Sequence, residues 1–579
     1  MPKVDISVRE LVDKVKHKDL RLPEMQRRYV WTSTRVRDLL DSLYRGYPSG
    51  TILVWETDDS IETRDLAIEP TASPTTSQKL LLLDGQQRIT SLASVLSGEP
   101  VIVRGRRRPI EILFNLEHPE GAPTEDVEID DDYTANIEDI EDEEDSERDI
   151  QEELRQRTFV VSTRGLLNDP VWVSVSSVFK KSDSELLRPL NINSDDPRWD
   201  KYAKRLSKIR DIANYMYVMQ VLERDKSYEE VTEIFVRVNS LGIKLRGSDL
   251  AMAQITSKWK GFMGLMEEFA ERFNGNGDYI LETGLPVRAL AVFATKQSRF
   301  KTIGRLSKDK LEEAWELAKQ GLEFANNFLS SNADIDSLSY LSSPFLLIPI
   351  AVYYTLKDGN ISAEEERKLL KWFYNAHMRG HYSMGSSESI LDADLSILFK
   401  KKSIDELINQ LYLHVKKIEL DDSDIAGKGI RSPFFSMMYF VMRQNGAKDW
   451  ITGLKLSEQH MGTAHSIQYH HIFPKSLLRD NFDRKEINEI ANMAFIGGKT
   501  NRRILNKEPV VYLEKEVVAK GREDDLKSQL IPIDKSLWEM NKYNDFLVWR
   551  REKIVAEINK FMKKLFKPLN IVYSLLIDF

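Results

Sequence analysis

The chain has 579 residues, 41% hydrophobic and 30% charged, too long for one core and ordinary for roughly three or four soluble domains. It has no cysteine, which excludes disulfides, thiolate zinc sites and cysteine nucleophiles and leaves His, Asp, Glu and Asn as metal ligands. The net charge of −8 is unevenly spread: residues 125–153 hold 17 acidic side chains and one arginine, a local −16, so the remainder carries +8.

The N-terminus, "MPKVDISVRELVDKVKHKDL", has no apolar signal core, and no stretch approaches the roughly 20 apolar residues of a membrane span. A cytoplasmic protein without a membrane partner is the expectation. Leu39, Leu40, Leu43 and Tyr44 recur at helical spacing; "GYPSG" then breaks the pattern, and "TILVWE" reads as a strand. "SQKLLLLDGQQRITSLASVLSG" is an apolar strand, a glycine turn and a helix with Ile89, Leu92, Ala93 and Leu96 on one face. "PIEILFNL" is another strand. The acidic run that follows reads as a solvated insertion; a nucleic-acid mimic lying in a basic groove is the sharper alternative. Residues 200–260 show helical periodicity, and about 260–420 is almost wholly helical.

The turn "DGQQR" has a specific chemistry. A buried strand delivers Asp84, Gly85, Gln86, Gln87 and Arg88 to a helix N-terminus, where the dipole and backbone N–H groups favour phosphate. Gly85 permits the turn, Arg88 is suited to clamp a phosphate, and Asp84 to hold Mg²⁺ or orient water. Arg27 and Arg28 add positive charge. On these residues alone, a turn tied by its own polar side chains is the plainer alternative.

Three segments taken together say more. "LPEMQRRYVW" supplies Pro23, Gln26, Arg27, Tyr29 and Trp31; "DGQQR" follows; "FVRVNSLGIKLRGSDL" supplies Phe235, Arg237, Asn239, Gly242, Leu245, Asp249 and Leu250. This ordered set resembles the nucleotide-using DGQQR family, found in GmrSD-type modification-dependent restriction enzymes and SspE-like anti-phage nucleases. Met25 stands where that family usually has an aromatic residue. The resemblance implies a ParB/sulfiredoxin-like fold that binds and hydrolyses an NTP, GTP or ATP. The implied contacts are Gln26, Arg27, Asp84, Gly85, Gln86, Gln87, Arg88, Arg237, Asn239 and Asp249, with Asp84 also catalytic.

The middle contains "WFYNAHMRGHYSMGSSESILDADL". Trp372, Asn375, Arg379 and Ser386–Ser389 form a polar spot on a helical scaffold, read as a helix cap with an interdomain contact or as the lining of a nucleotide or DNA channel. His377 and His381 have a zinc-capable i, i+4 spacing without an evident acidic partner and are read as structural.

Near the C-terminus "SIQYHHIFPKSLLRDNF" places His470 and His471 side by side in an extended segment, so that their rings address opposite faces. "NEIANMAFIGGKTNRRILNKEP" then gives Asn492, a strand, Gly497-Gly498, and a helix for which Thr500 is the expected cap. The order strand, His-His, loop, Asn, strand, helix, Asn resembles the HNH, or ββα-metal, nucleases. The resemblance implies that His470 and Asn501 hold a divalent metal, Mg²⁺ or Mn²⁺, that His471 is the general base, and that Asn492 orients the base or its loop. His470 replaces the commoner Asp, which favours a transition ion. Lys499, Arg502, Arg503 and Lys507 are suited to DNA phosphates.

The expectation is therefore a helix-rich, multidomain α+β chain. Residues 1–255 form the nucleotide domain with its acidic insertion, 256–425 a helical middle, and 426–579 the HNH domain. Its function is a nucleotide-regulated, metal-dependent endonuclease for modified or phage double-stranded DNA. Self-association and partner proteins of a defence operon are compatible with this arrangement. An NTP-dependent DNA-binding regulator with an inactive HNH fold and a ribonuclease toxin are the competing classes.

Overall fold

Successive side chains of a strand point to opposite faces, so a strand that is apolar throughout needs cover on both sides. The N-terminal strands obtain it from two helical layers. The computed structural model describes all residues except 1, 25–30, 58–62, 65, 67–78, 99–108, 122–153, 163, 242–246, 275–283, 301, 334, 336, 384–385, 414–418, 457–466, 505 and 567–579. It divides into two units, Met1–Glu267 and Glu268–Phe579.

In the first unit β1 (Lys3–Ser7), β2 (Leu20–Pro23), β3 (Ile52–Thr57), β4 (Thr63–Arg64), β5 (Lys79–Asp84) and β9 (Met216–Leu222) form one mixed sheet, ordered β1-β9-β3-β5-β2-β4. A smaller antiparallel sheet has β6 (Ile112–Asn115) between β7 (Phe159–Val161) and β8 (Trp172–Ser174). On one face of the large sheet, Ile52, Val54 and Leu82 join a core with Leu11 of α1 (Val8–Lys16), Leu40 of α2 (Ser33–Arg45), Leu92 of α3 (Gln86–Leu96) and Ile209 of α4 (Trp199–Arg210). The alternate residues Leu53, Trp55, Leu81 and Leu83 face the other way, under Val231 and Phe235 of α5 (Tyr228–Leu241) and Ala253 of α6 (Gly247–Thr256). Truncating any of these leucines to alanine removes about 2–5 kcal/mol.

The expected strands at "TILVWE" and "PIEILFNL" and the strand–glycine–helix unit around Gly85 are present. The helical reading of residues 200–260 needs correction, because Met216–Leu222 is β9, inserted between β1 and β3. Its period is two: Tyr217 and Met219 are buried while Met216 and Val218 are exposed. Glu24, buried at the end of β2, accepts the Gly261 and Met263 N–H groups at 3.1 Å each, at the start of α7 (Phe262–Asn274).

The second unit is helical from α8 (Gly284–Thr295) through α9 (Lys308–Ala333), α10 (Leu347–Leu356), α11 (Ala363–Met378), α12 (Ser387–Lys401) and α13 (Ile404–Leu413) to α14 (Pro433–Gln444). It then forms an antiparallel pair, β10 (Ile467–His471) with β11 (Met493–Gly497), followed by α15 (Gly498–Ile504), α16 (Pro509–Glu516) and the long α17 (Tyr543–Phe566). Among the described residues no helix is long and apolar enough to cross a membrane. The acidic run at 125–153 lies outside the described residues.

Candidate functional site

At the DGQQR turn, β5 ends on Asp84 and Gly85 adopts a left-handed conformation (φ 100°) that opens α3 without a side-chain cap. A side chain at Gly85 would strike Ile52, because its Cβ would lie 2.5 Å from Ile52 Cδ1. Arg88 folds back over the turn. Its Nη1 donates to Ser49 O at 2.5 Å, and its Nη2 donates to Thr51 O at 2.8 Å and pairs with Asp84 at 3.2 Å. Gly50 (φ 91°) passes so close that a Cβ there would lie 2.4 Å from Arg88 Nη1. Arg88 is thus a staple for the 49–51 loop, the contact pattern of a turn tied by its own polar side chains.

The structure brings the first two motif segments together, since Gln87 Oε1 accepts the Trp31 N–H at 3.1 Å. Gln86 is buried. From the third segment, Phe235 packs over the sheet and Asp249 is half-buried in the first turn of α6. Arg237 is exposed and pairs with Glu233 one helical turn earlier. Gln26, Arg27 and Arg28, with the Asn239 side chain, lie outside the described residues.

The histidine pair occupies the last two positions of β10, opposite Ala494 and Met493. His470 is buried edge-on to Trp450 and Tyr512, with ring centroids 6.3 and 6.1 Å away. Its Nδ1 lies 2.8 Å from Asn501 Oδ1 on α15, so the two expected ligands are adjacent. His471 Nε2 lies 3.0 Å from Asn488 Oδ1. Burial holds His470 down to about 4 and His471 down to about 3, where Lys475 acts in the same direction. Both imidazoles are neutral at pH 7.

Asn492 is fully buried and works through the loop. Its Oδ1 accepts Phe473 N–H at 2.9 Å, and its Nδ2 donates to Phe473 O at 3.1 Å and Ile487 O at 3.0 Å. It thereby joins the chain after the histidines to the chain before β11. Thr500 is not the helix cap: α15 already begins at Gly498, and the buried Thr500 hydroxyl donates to Asp449 Oδ1 at 2.6 Å. Asp449 Oδ2 accepts Gly497 N–H at 2.7 Å, so one buried carboxylate fixes the β11–α15 junction.

Of the basic residues, Lys499 is exposed. Arg503 Nε instead pairs with Glu516 at 2.8 Å, and Lys507 Nζ donates to Arg503 O at 3.1 Å. These two are engaged by the protein in this structure. The Arg502 side chain lies outside the described residues.

His470 Nδ1 and Asn501 Oδ1 are hydrogen-bonded to each other in this structure, so a divalent ion held by both would replace the Nδ1 proton. Two donors at about 2.1 Å from one ion and at right angles to it lie about 3 Å apart. Both donors are neutral, so such an ion would take its remaining ligands from water and phosphate. Among the described residues no group of three or more His, Asp or Glu side chains is arranged to hold a metal.

In the helical middle His377 is fully buried, its Nδ1 accepting Ser342 N–H at 3.0 Å, as its structural reading requires. His381 has the acidic partner the sequence did not reveal: Asp394 Oδ2 lies 2.8 Å from its Nε2 and also accepts the Tyr382 hydroxyl at 2.6 Å. Within the polar spot, Trp372 and Asn375 are buried and Glu388 on α12 pairs with Arg288 of α8 at 3.0 Å. Sequence reasoning missed Asp449, Asn488 and Tyr512, isolated residues whose partners are distant along the chain.

Residues 8–256 match the family model of the GmrSD restriction endonuclease N-terminal domain. The matched span holds all three N-terminal motif segments and lies inside the first unit. The chain is also 24% identical, over 545 residues, to an uncharacterized protein of Methanocaldococcus jannaschii, covering 88% of this chain and 86% of that protein. The first unit therefore resembles the N-terminal domain of the GmrSD restriction endonucleases.

Proposed function

We propose that the protein is a metal-dependent endonuclease that cuts modified or phage double-stranded DNA under the control of a nucleotide bound by its first unit. The observation that carries the reading is the histidine hairpin: His470 beside Asn501, His471 at the strand end, and Asn492 bracing the loop, all within a β–β–α unit. That arrangement supports an HNH assignment. The resemblance of residues 8–256 supports the restriction role.

Hydrolysis of a phosphodiester needs a neutral base, which imidazole supplies at pH 7. His471 takes a proton from water, the hydroxide attacks phosphorus, and the bond to the leaving sugar oxygen breaks. His470 and Asn501 would hold a divalent ion, Mg²⁺ or Mn²⁺, that offsets the charge building on that oxygen. The phosphate's own negative charge favours the protonated imidazole, raising the proton affinity of His471 when DNA arrives.

The helix end at Gly85 supports an NTP site, with Asp84 suited to orient water or metal; Arg88 would exchange a contact with Ser49, Thr51 or Asp84 for the phosphate. A nucleotide switch of this kind needs a coupling of typically 1–3 kcal/mol between the two ligands. The test is a cleavage panel on plasmid, modified phage DNA and RNA, with and without GTP and ATP, alongside NTP turnover with and without DNA. Cleavage of modified DNA that changes several-fold with nucleotide is the expected result. Cleavage of RNA alone identifies a ribonuclease, and nucleotide-dependent DNA binding with no cleavage identifies a regulator.

A further inference from the structure

The residue that faces the histidine base is an asparagine, and an amide oxygen can only accept a hydrogen bond. Asn488 Oδ1 lies 3.0 Å from His471 Nε2, so this contact requires the proton on Nε2 and leaves the lone pair on Nδ1. We propose that Asn488 is the positioning residue of the nuclease centre: its side-chain oxygen selects the His471 tautomer and fixes the ring so that Nδ1 takes the proton from water. The inference rests on the endonuclease reading above and names the group through which the base is oriented.

The backbone around Asn488 is held independently of its side chain. Ile487 O on one side is tied to the fully buried Asn492 at 3.0 Å. Glu489 on the other side is buried, accepts Gly427 N–H at 2.9 Å, and is gripped by Arg551 through two donors at 2.5 and 2.9 Å. Asn488 itself is only partly buried and closes the short helix Arg484–Ile487. A rigid loop thus presents one adaptable amide to the imidazole. A ring hydrogen-bonded on its far nitrogen is the general means by which proteins fix an imidazole's tautomer and direction. Lys475, the nearby cation, lies in the chain that follows Pro474 and offers no acceptor for Nε2–H.

The experiment measures plasmid-nicking kcat and KM, with melting temperature, for the full chain and for Asn488→Ala, Asn488→Asp and His471→Ala. Removing the acceptor in Asn488→Ala should lower kcat about 10–100-fold, the usual effect of losing such an orienting partner, with KM and melting temperature nearly unchanged. Asn488→Asp keeps an acceptor and cannot donate, so it should restore most of the rate. If the amide instead donated to Nε2, Asn488→Asp would be as slow as Asn488→Ala, and the inference would be overturned. It is equally overturned if Asn488→Ala nicks at the wild-type rate, or if its loss of rate comes with a matching loss of fold or a rise in KM. The two readings fail separately. Wild-type protein that does not nick, or His471→Ala that nicks normally, refutes the nuclease reading; a dead His471→Ala beside a fully active Asn488→Ala refutes only the role of Asn488.

Discussion

Arg551, on α17, grips Glu489 with Nε at 2.5 Å and Nη2 at 2.9 Å, and the carboxylate it holds is almost completely buried. Both residues lie in the second unit, where the pair pins the loop between the short helix Arg484–Ile487 and β11. Removing one partner of a buried ion pair strands the other charge. Arg551→Ala should therefore cost about 3–5 kcal/mol in a urea titration, whereas a paired replacement, Glu489→Gln with Arg551→Met, should cost much less. Equal losses in the two variants would show that packing, not charge, sets the cost.

His471→Ala should abolish metal-dependent nicking while leaving melting temperature and NTP turnover nearly unchanged. His470→Asp adds a negative oxygen donor beside Asn501 and should keep activity while moving the metal preference toward Mg²⁺. Nicking assays across Mg²⁺, Mn²⁺ and Co²⁺ read both effects. Full cleavage by His471→Ala would remove the basis of the HNH assignment.

At the first unit's turn, Arg88→Ala should act in two ways. Its three contacts with Ser49, Thr51 and Asp84 disappear, so the unit should melt at a lower temperature. A charge-assisted phosphate contact is worth on the order of 1.5–3 kcal/mol, so NTP affinity should also fall by about 10–100-fold. Asp84→Ala should slow turnover more than it weakens binding. Calorimetric titration with unaltered nucleotide affinity in a folded Arg88→Ala protein would leave Arg88 as a structural staple alone.

The buried His377 gives a pH signature of known sign. Burial lowers it to about 3, while an unfolded histidine titrates near 6.5, so below that pH the unfolded chain binds the extra proton. Its contribution to stability is complete above about 6.5 and is lost as pH falls toward about 3. His377→Gln keeps an acceptor for Ser342 N–H but does not titrate. The stability difference between wild type and variant should therefore shift against the wild type by about 2 kcal/mol from pH 7 to pH 5, in paired urea titrations. A pH-independent difference would show that His377 takes up its proton alike in the folded and unfolded chain.

What was legible in the sequence was local. The run Lys79–Asp84, the glycine after it and the helix from Gln86 announce themselves because strand, turn and helix each carry their own short-range signal. The His470–Asn501 proximity followed from motif order, although 30 intervening residues separate them. The strand Met216–Leu222 was lost inside flanking helices because its two-residue alternation is only seven residues long. Thr500 looked like a cap because a polar residue follows two glycines; the hydroxyl instead serves Asp449, whose role depends on a contact 51 residues away. Asn488 was invisible for the same reason, since a single loop amide has no period and its partner is 17 residues upstream.

The central position of β9 has a consequence for the order of events during synthesis. Lys3 pairs with Gln220 and Ile52 with Met219, so the large sheet cannot close until some 220 residues have been made. At about 5–20 residues per second this leaves β1 and β3 without their shared neighbour for about 10–40 s, an interval in which bare strand edges favour wrong partners. The histidine hairpin is the opposite case: its strands pair Ile467 with Gly497 and His471 with Met493, a short closure that forms quickly once both are present. The first unit is also contiguous and ends at Glu267, two hundred residues before His470 is translated. A ribosome therefore delivers the slow-closing N-terminal unit, with time to complete its sheet, before the fast-closing cutting centre exists.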